Sequence, residues 1–170
     1  MITDPGQSII QALIEVKNVE KCPMPPPARV SRIGPQQLGE MKLSNNLEQN
    51  KSNAQAFYDL MFNQCKPREA IEKYAGDEYI QHNPHVADGK EAFIEYFERM
   101  GAEYPGKRTH FKRAIAEDDY VVLHCHQEWP GDEDYAGIDI FRFDENGKVV
   151  EHWDVLQVVT AEPKNDNGLF

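Results

Sequence analysis

The chain is short of positive charge. Its 18 Lys and Arg face 29 Asp and Glu, for a formal net charge of −11. No basic patch is visible, so nucleic acid is not an expected partner; the acidity favours solubility. Long apolar runs are missing too. Crossing a bilayer takes roughly 20 consecutive apolar residues, and no such run exists, so no membrane association is expected. Residues 9–16 are apolar but broken by Gln11 and Glu15, with no basic stretch before them, and do not read as a signal peptide. Cysteine is scarce. Cys22, Cys65 and Cys125 are odd in number and lack metal-site spacing, which points to reduced thiols in a cytoplasmic setting. There are no internal repeats. What is present is 170 residues, enough for one domain with a real core.

Proline is unevenly spread. Pro23 and the run Pro25-Pro26-Pro27 can neither continue a helix nor sit inside a sheet. Ile9, Ile10, Leu13, Ile14 and Val16 could make one short helix before them. Residues 1–40 therefore read as an N-terminal extension, either a flexible arm or a vector-derived leader, with Met41 a plausible natural start. Residues 41–162 read as the domain and 163–170 as a tail.

The domain opens with helical signals. Ser44 or Asn45 can cap a helix, with Glu48 three residues past Asn45. Leu47, Ala54, Phe57, Tyr58, Met61 and Phe62 make its apolar stripe. Pro67 suits the first turn of a second helix that buries Ala70, Ile71 and Tyr74. Residues 79–84 form a short extended piece. Asp88-Gly89-Lys90-Glu91 is capping-box-like and opens a third helix with Ala92, Phe93, Tyr96, Phe97 and Met100 on its core face. Gly101 and Pro105 end it. Strands follow at 109–117 and 120–129 around the turn Asp118-Asp119, then one through Asp139 and one after Asn146-Gly147. The expected class is α+β: three N-terminal helices packed on a curved antiparallel sheet of about four strands, plus a short extended segment.

The terminal hairpin carries the chemistry. Asn146-Gly147 is a strong turn signal because both residues tolerate positive φ. Side chains two apart share a strand face, so Val150, His152, Asp154 and Leu156 lie together. A buried carboxylate is costly unless it is paired or chemically employed. With a two-residue loop, Glu145 pairs with Lys148 and Arg142 with Glu151, both favourable opposite-charge pairs. Phe141 then faces His152, and Asp139 faces Asp154. Facing carboxylates do not both ionise easily, which suits one of them to acid/base work near neutral pH. A three-residue loop with a glycine bulge would instead set Asp139 against Trp153. Pairing Trp129 with Asp134 puts His124 opposite Asp139, and a two-residue loop at Asp118-Asp119 puts Arg113 opposite His124. The expected pocket face is then Phe111, Arg113, Val122, His124, His126, Asp139, Phe141, His152 and Asp154. The other face, with Ile138, Ile140 and Trp153, is apolar, which suggests a homodimer through the outer sheet face.

Three stretches, Tyr79-Ile80-Gln81-His82-Asn83-Pro84, Gly89-Lys90-Glu91-Ala92-Phe93 and Val150-Glu151-His152-Trp153-Asp154-Val155, resemble in order and spacing the SnoaL-like polyketide cyclases. The match is closer still to the predicted aldol-condensation proteins of that group. The resemblance spans residues 41–160 and implies an NTF2-like cone of helices against a curved sheet, often dimeric. It also implies an aldol cyclisation in which a sheet aspartate, helped by a histidine, acts as acid/base without cofactor or metal. Asp154 best matches that aspartate, while the histidine role is spread over His152, His124 and His82. The extra histidines of this chain mean that the polyketide substrate does not carry over.

The candidate catalytic residues are thus Asp154, His152, Asp139 and His124. The candidate ligand contacts are His82, Arg113, His126, Phe141 and Tyr79, the last expected chiefly as core. A metal would draw on His124-x-His126 and His82-x-x-His85, but these are dispersed, and neither metal nor cofactor is expected. The expected activity is proton abstraction next to a carbonyl, in an aldol, isomerase or dehydratase step on a small, largely apolar molecule. The alternative is a non-catalytic module that binds a small ligand or a protein.

Overall fold

A computed structural model describes residues 35–170, with side chains from Asn46 onward. The short helix expected within residues 9–16, the proline run and Cys22 lie outside the described residues. Helix α1 (Pro35–Tyr58) begins at a proline, where the missing N–H is not needed. The capping signal at Ser44-Asn45 therefore falls inside a helix that starts earlier. The stripe lands as expected: Ala54, Phe57, Tyr58, Met61 and Phe62 are all buried. A π-helical turn (Asp59–Asn63) closes α1, with the Gln64 N–H donating to Asp59 O at 3.0 Å. It aims Asn63 at Thr109, whose N–H donates to Asn63 Oδ1 at 2.7 Å. Helix α2 (Pro67–Tyr74) buries Ala70 and Ile71. Strand β1 (Ala75–Gln81) and helix α3 (Lys90–Glu103) follow. Asp88 does not cap α3; its Oδ1 accepts instead from the Gln81 N–H at 2.9 Å, which ties the loop to the end of β1.

Strands β2 (Arg108–Glu117), β3 (Tyr120–Glu128), β4 (Tyr135–Phe143) and β5 (Val149–Val158) form the expected antiparallel meander. The extended segment adds a fifth strand: the sheet order is β1-β5-β4-β3-β2, with β1 parallel to β5. The helices cover one face. Phe57 sits centrally there, 5.6 Å from the Phe93 ring and 6.1 Å from the Phe141 ring. Each fully buried ring of this kind stabilises the fold by roughly 1.5–3 kcal/mol. Among the described residues, no helix is long and apolar enough to cross a membrane.

Register decides which groups share that covered face. The β4–β5 loop holds three residues, not two. Asp144 N–H donates to Lys148 O at 2.8 Å, and Gly147 takes a φ of 72°. Glu145 therefore does not pair with Lys148. However, the ladder shifts again between Arg142 and Phe143, where Val150 has no partner, and the expected register returns beyond it. Arg142 pairs with Glu151, Phe141 with His152 and Asp139 with Asp154.

The β3–β4 register corrects the expectation for His124. Leu123, not His124, faces Asp139, and His124 faces Ile138. The connection after Gln127 runs one residue out of step with the assumed turn, using Gly131 at a φ of 90°. A one-residue slip turns every side chain to the other face. Arg113 does face His124 as expected, but the extra residue Lys112 puts Phe111 and Arg113 on opposite faces. Arg113, His124 and His126 consequently lie on the outer face with Ile138, Ile140 and Trp153.

Candidate functional site

Asp139 lies in the middle of β4 under the helices and is wholly buried. His152, on β5, is 6% exposed, and its Nε2 stands 3.3 Å from Asp139 Oδ1. Because β1 runs parallel beside β5, Gln81 falls next to His152, and its Oε1 is 3.0 Å from His152 Nδ1. Asp139 Oδ2 is buried without a hydrogen-bond partner among the described residues. The Tyr58 hydroxyl accepts from Gln127 Nε2 at 2.7 Å. Burial, and then the charge of Asp139, push the Tyr58 ionisation well above its ordinary value, so the phenol keeps its proton.

Asp154 faces Asp139 across the ladder and is half-buried. Asn83 Nδ2 donates to both of its oxygens, at 2.9 and 2.7 Å. The His85 N–H donates to Asn83 Oδ1 at 2.8 Å, which settles which end of the amide meets the carboxylate. Burial raises the Asp154 ionisation above the ordinary carboxylate value. His152 and the Asn83 hydrogen bonds pull it down, Asp139 pushes it up, and burial prevails. Tyr79 is buried beside the group, and its hydroxyl accepts from Gln81 Nε2 at 3.2 Å. Burial and then the Asp154 charge hold its proton on as well.

Two small clefts flank α3. One of about 180 Å³ is lined by Tyr96, Met100, Tyr104, Trp129, Tyr135 and Leu156, among others. Another of about 230 Å³ includes His85, Glu95 and Tyr96. Leu156 lies two residues beyond Asp154 on the same strand, and Tyr96, shared by both clefts, is close enough to feel the Asp154 charge. Asp154 itself is half-buried and is not among the residues that line either cleft.

The structure brings together Asp139, Phe141, His152, Asp154 and Tyr79, with the Phe141 ring 4.7 Å from the His152 ring. It places the other candidates elsewhere. Arg113 Nη1 donates to His124 Nδ1 at 2.8 Å on the outer face. His126 pairs with Asp134 at 2.9 Å, and Phe170 lies over it at 4.7 Å. His82 pairs with Glu151 at 2.8 Å and stacks on Trp153 at 4.7 Å. None of these four histidine and arginine side chains lines the covered face. Gln81 and Asn83 do, although neither was singled out from the sequence. Their signal was parity: both share strand phase with Tyr79, while His82 has the opposite phase.

Asp139, His152 and Asp154 also offer ligand atoms within 4.8 Å of one another. The His124-x-His126 and His82-x-x-His85 pairs weighed in the sequence form no such group among the described residues.

The SnoaL-like domain family matches residues 54–152. No curated protein sequence matches the chain. Several solved structures share the fold. A candidate ketosteroid isomerase from Kribbella flavida is 16% identical, covering 74% of this chain and 90% of its own, with a TM-score of 0.55. A candidate polyketide cyclase from Bacillus cereus is 20% identical, covering 61% and 71%, with a TM-score of 0.53. An NTF2-like protein from Cytophaga hutchinsonii is 14% identical, covering 64% and 89%, with a TM-score of 0.52. At such identities the likeness speaks for the fold alone. The family match, over more than half of the chain, settles membership: the protein belongs to the SnoaL-like domain family and has an NTF2-like fold.

Proposed function

We propose that the chain is a cofactor-independent acid/base enzyme that removes a proton next to a carbonyl of a small, largely apolar molecule, in an aldol, isomerase or dehydratase step. One observation carries this reading: Asp154, its ionisation raised by burial, sits beside the buried His152–Asp139 pair. Asp154 is the base. Asn83 holds it in place, and His152 supplies positive character to the developing enolate. The cleft lined by Tyr96, Met100, Tyr104, Trp129 and Tyr135 suits a largely apolar substrate. Homodimerisation is assigned to the outer face, where Ile115, Ile138 and Val155 are exposed at 61%, 40% and 71%.

A non-catalytic binding module is the second reading. It is favoured by a cleft of about 530 Å³ that opens at the 118–119 and 144–145 turns rather than at Asp154. Exchange of α-protons with D2O, followed by NMR over a panel of cyclic ketones and β-diketones, separates the two. The enzyme reading expects exchange above buffer that falls by about 10²- to 10⁴-fold in Asp154→Asn. Exchange that survives this substitution in a folded protein would remove Asp154 from its role. No exchange across the panel would favour the binding module.

A further inference from the structure

We propose that Gln81 is a positioning residue that locks the tautomer of His152 and so obliges Asp139 and His152 to hold one proton between them. This rests on the reading of Asp139, His152 and Asp154 as the acid/base group, but its test needs no substrate.

The orientation of the Gln81 amide is dictated by its neighbours. The Asn83 backbone N–H lies 2.9 Å from Gln81 Oε1. A backbone N–H can only donate, so the atom facing it is the amide oxygen. The other end, Nε2, donates to the Tyr79 hydroxyl at 3.2 Å. The backbone N–H of Gln81 is itself held by Asp88 Oδ1 at 2.9 Å, so the residue is anchored at both ends. Asp88 and Asn83 thus fix an acceptor in front of the imidazole.

His152 Nδ1 stands 3.0 Å from that oxygen and must carry a hydrogen to meet it favourably. A neutral imidazole has one N–H. Once Nδ1 holds it, Nε2 presents a lone pair to Asp139 Oδ1, 3.3 Å away. An ionised carboxylate and a bare ring nitrogen repel at that distance in a buried site. A further proton between them removes the repulsion, either on the carboxyl or on the ring. In both arrangements the pair has no net charge, which the wholly buried position of Asp139 demands.

The charged and titratable groups facing this pair are Asp154 across the ladder, Tyr58 and Tyr79 from the helix and β1 sides, and Cys125 on β3. Burial holds the protons on both phenols and on the thiol.

Long-range ¹H–¹⁵N NMR of the full ¹⁵N-labelled chain reads the tautomer directly, with His152 assigned by the signal lost in His152→Gln. In the wild-type protein, Nδ1 should show the shift of a protonated nitrogen, and Nε2 a shift displaced from that of a bare nitrogen. Gln81→Leu removes the acceptor and should release the ring to the Nε2–H tautomer or a mixture. Gln81→Glu keeps an acceptor there and should retain the Nδ1–H form. A wild-type spectrum with bare Nδ1 overturns the proposal, even if both variants fail to fold. So does a folded Gln81→Leu protein with an unchanged tautomer. Loss of α-proton exchange without either result would count against the enzymatic reading and leave the lock standing.

Discussion

The two faces of the sheet are built from the same kinds of residue and do different things with them. On the covered face His152 has both ring nitrogens engaged, by Gln81 and Asp139, and is nearly buried. On the outer face His126 lies 2.9 Å from Asp134 and His82 2.8 Å from Glu151, with side chains 19% and 41% exposed for the two histidines. Pairs open to water contribute little, about 0–1 kcal/mol, because water and salt screen them. A histidine–carboxylate pair is thus not by itself a signature of chemistry. Burial, and neighbours that engage both ring nitrogens, make the difference.

The largest contrast should appear in activity. Asp154→Asn should lower α-proton exchange by about 10²- to 10⁴-fold, while His124→Gln should leave it within about twofold, since its imidazole is turned away and bound to Arg113. Equal losses in both would erase the distinction between the faces. Stability comes next. Phe141→Ala removes a ring packed on Phe57, Tyr58 and His152 and should cost about 3–5 kcal/mol in urea unfolding. Arg113→Gln on the outer face should cost about 0.5 kcal/mol or less.

The pH dependence of stability should carry opposite signs on the two faces. Asp154 ionises less readily in the fold than in the unfolded chain. Between the ordinary carboxylate value and the raised folded one, the folded chain binds more protons, so stability falls as pH rises through that window. Asp154→Asn should abolish the slope. For Glu151, burial alone would raise the ionisation, but hydrogen bonds from His82 and Arg142 outweigh it and hold it below the ordinary value. Its contribution is complete above the ordinary glutamate value and is lost as pH falls through the lowered folded value, a loss that Glu151→Gln should remove. Urea midpoints taken across pH 2 to 8 would show both. The smallest effect concerns association: Val155→Glu should shift a dimer toward monomer in light scattering while the exchange activity changes little.

Much of the covered face was legible because opposite charges declare their register. Arg142 and Glu151 pointed to the pairing that sets Asp139 against Asp154, and it held even though the loop has three residues, because the unpaired Val150 restores the count. The same reasoning failed for His124, where no charge pair marks the β3–β4 register and a glycine in the left-handed region changes the connection by one residue. Gln81 and Asn83 were hidden differently. An amide carries no charge and scores as a turn or surface residue, and only the parallel pairing of β1 with β5, a long-range event, brings Gln81 to His152. Sequence patterns inform on neighbours across a short turn far better than on strands separated by more than half of the domain.

The measurement that bears most directly on the chemical role of the covered face is the ¹³C titration of the Asp154 carboxyl group in the wild-type protein. A midpoint clearly above about 3.9, the value of an unperturbed aspartate, is the predicted result. A midpoint at or below that value would mean that Asn83 and His152 overcome burial, and that Asp154 is a structural anion rather than a base.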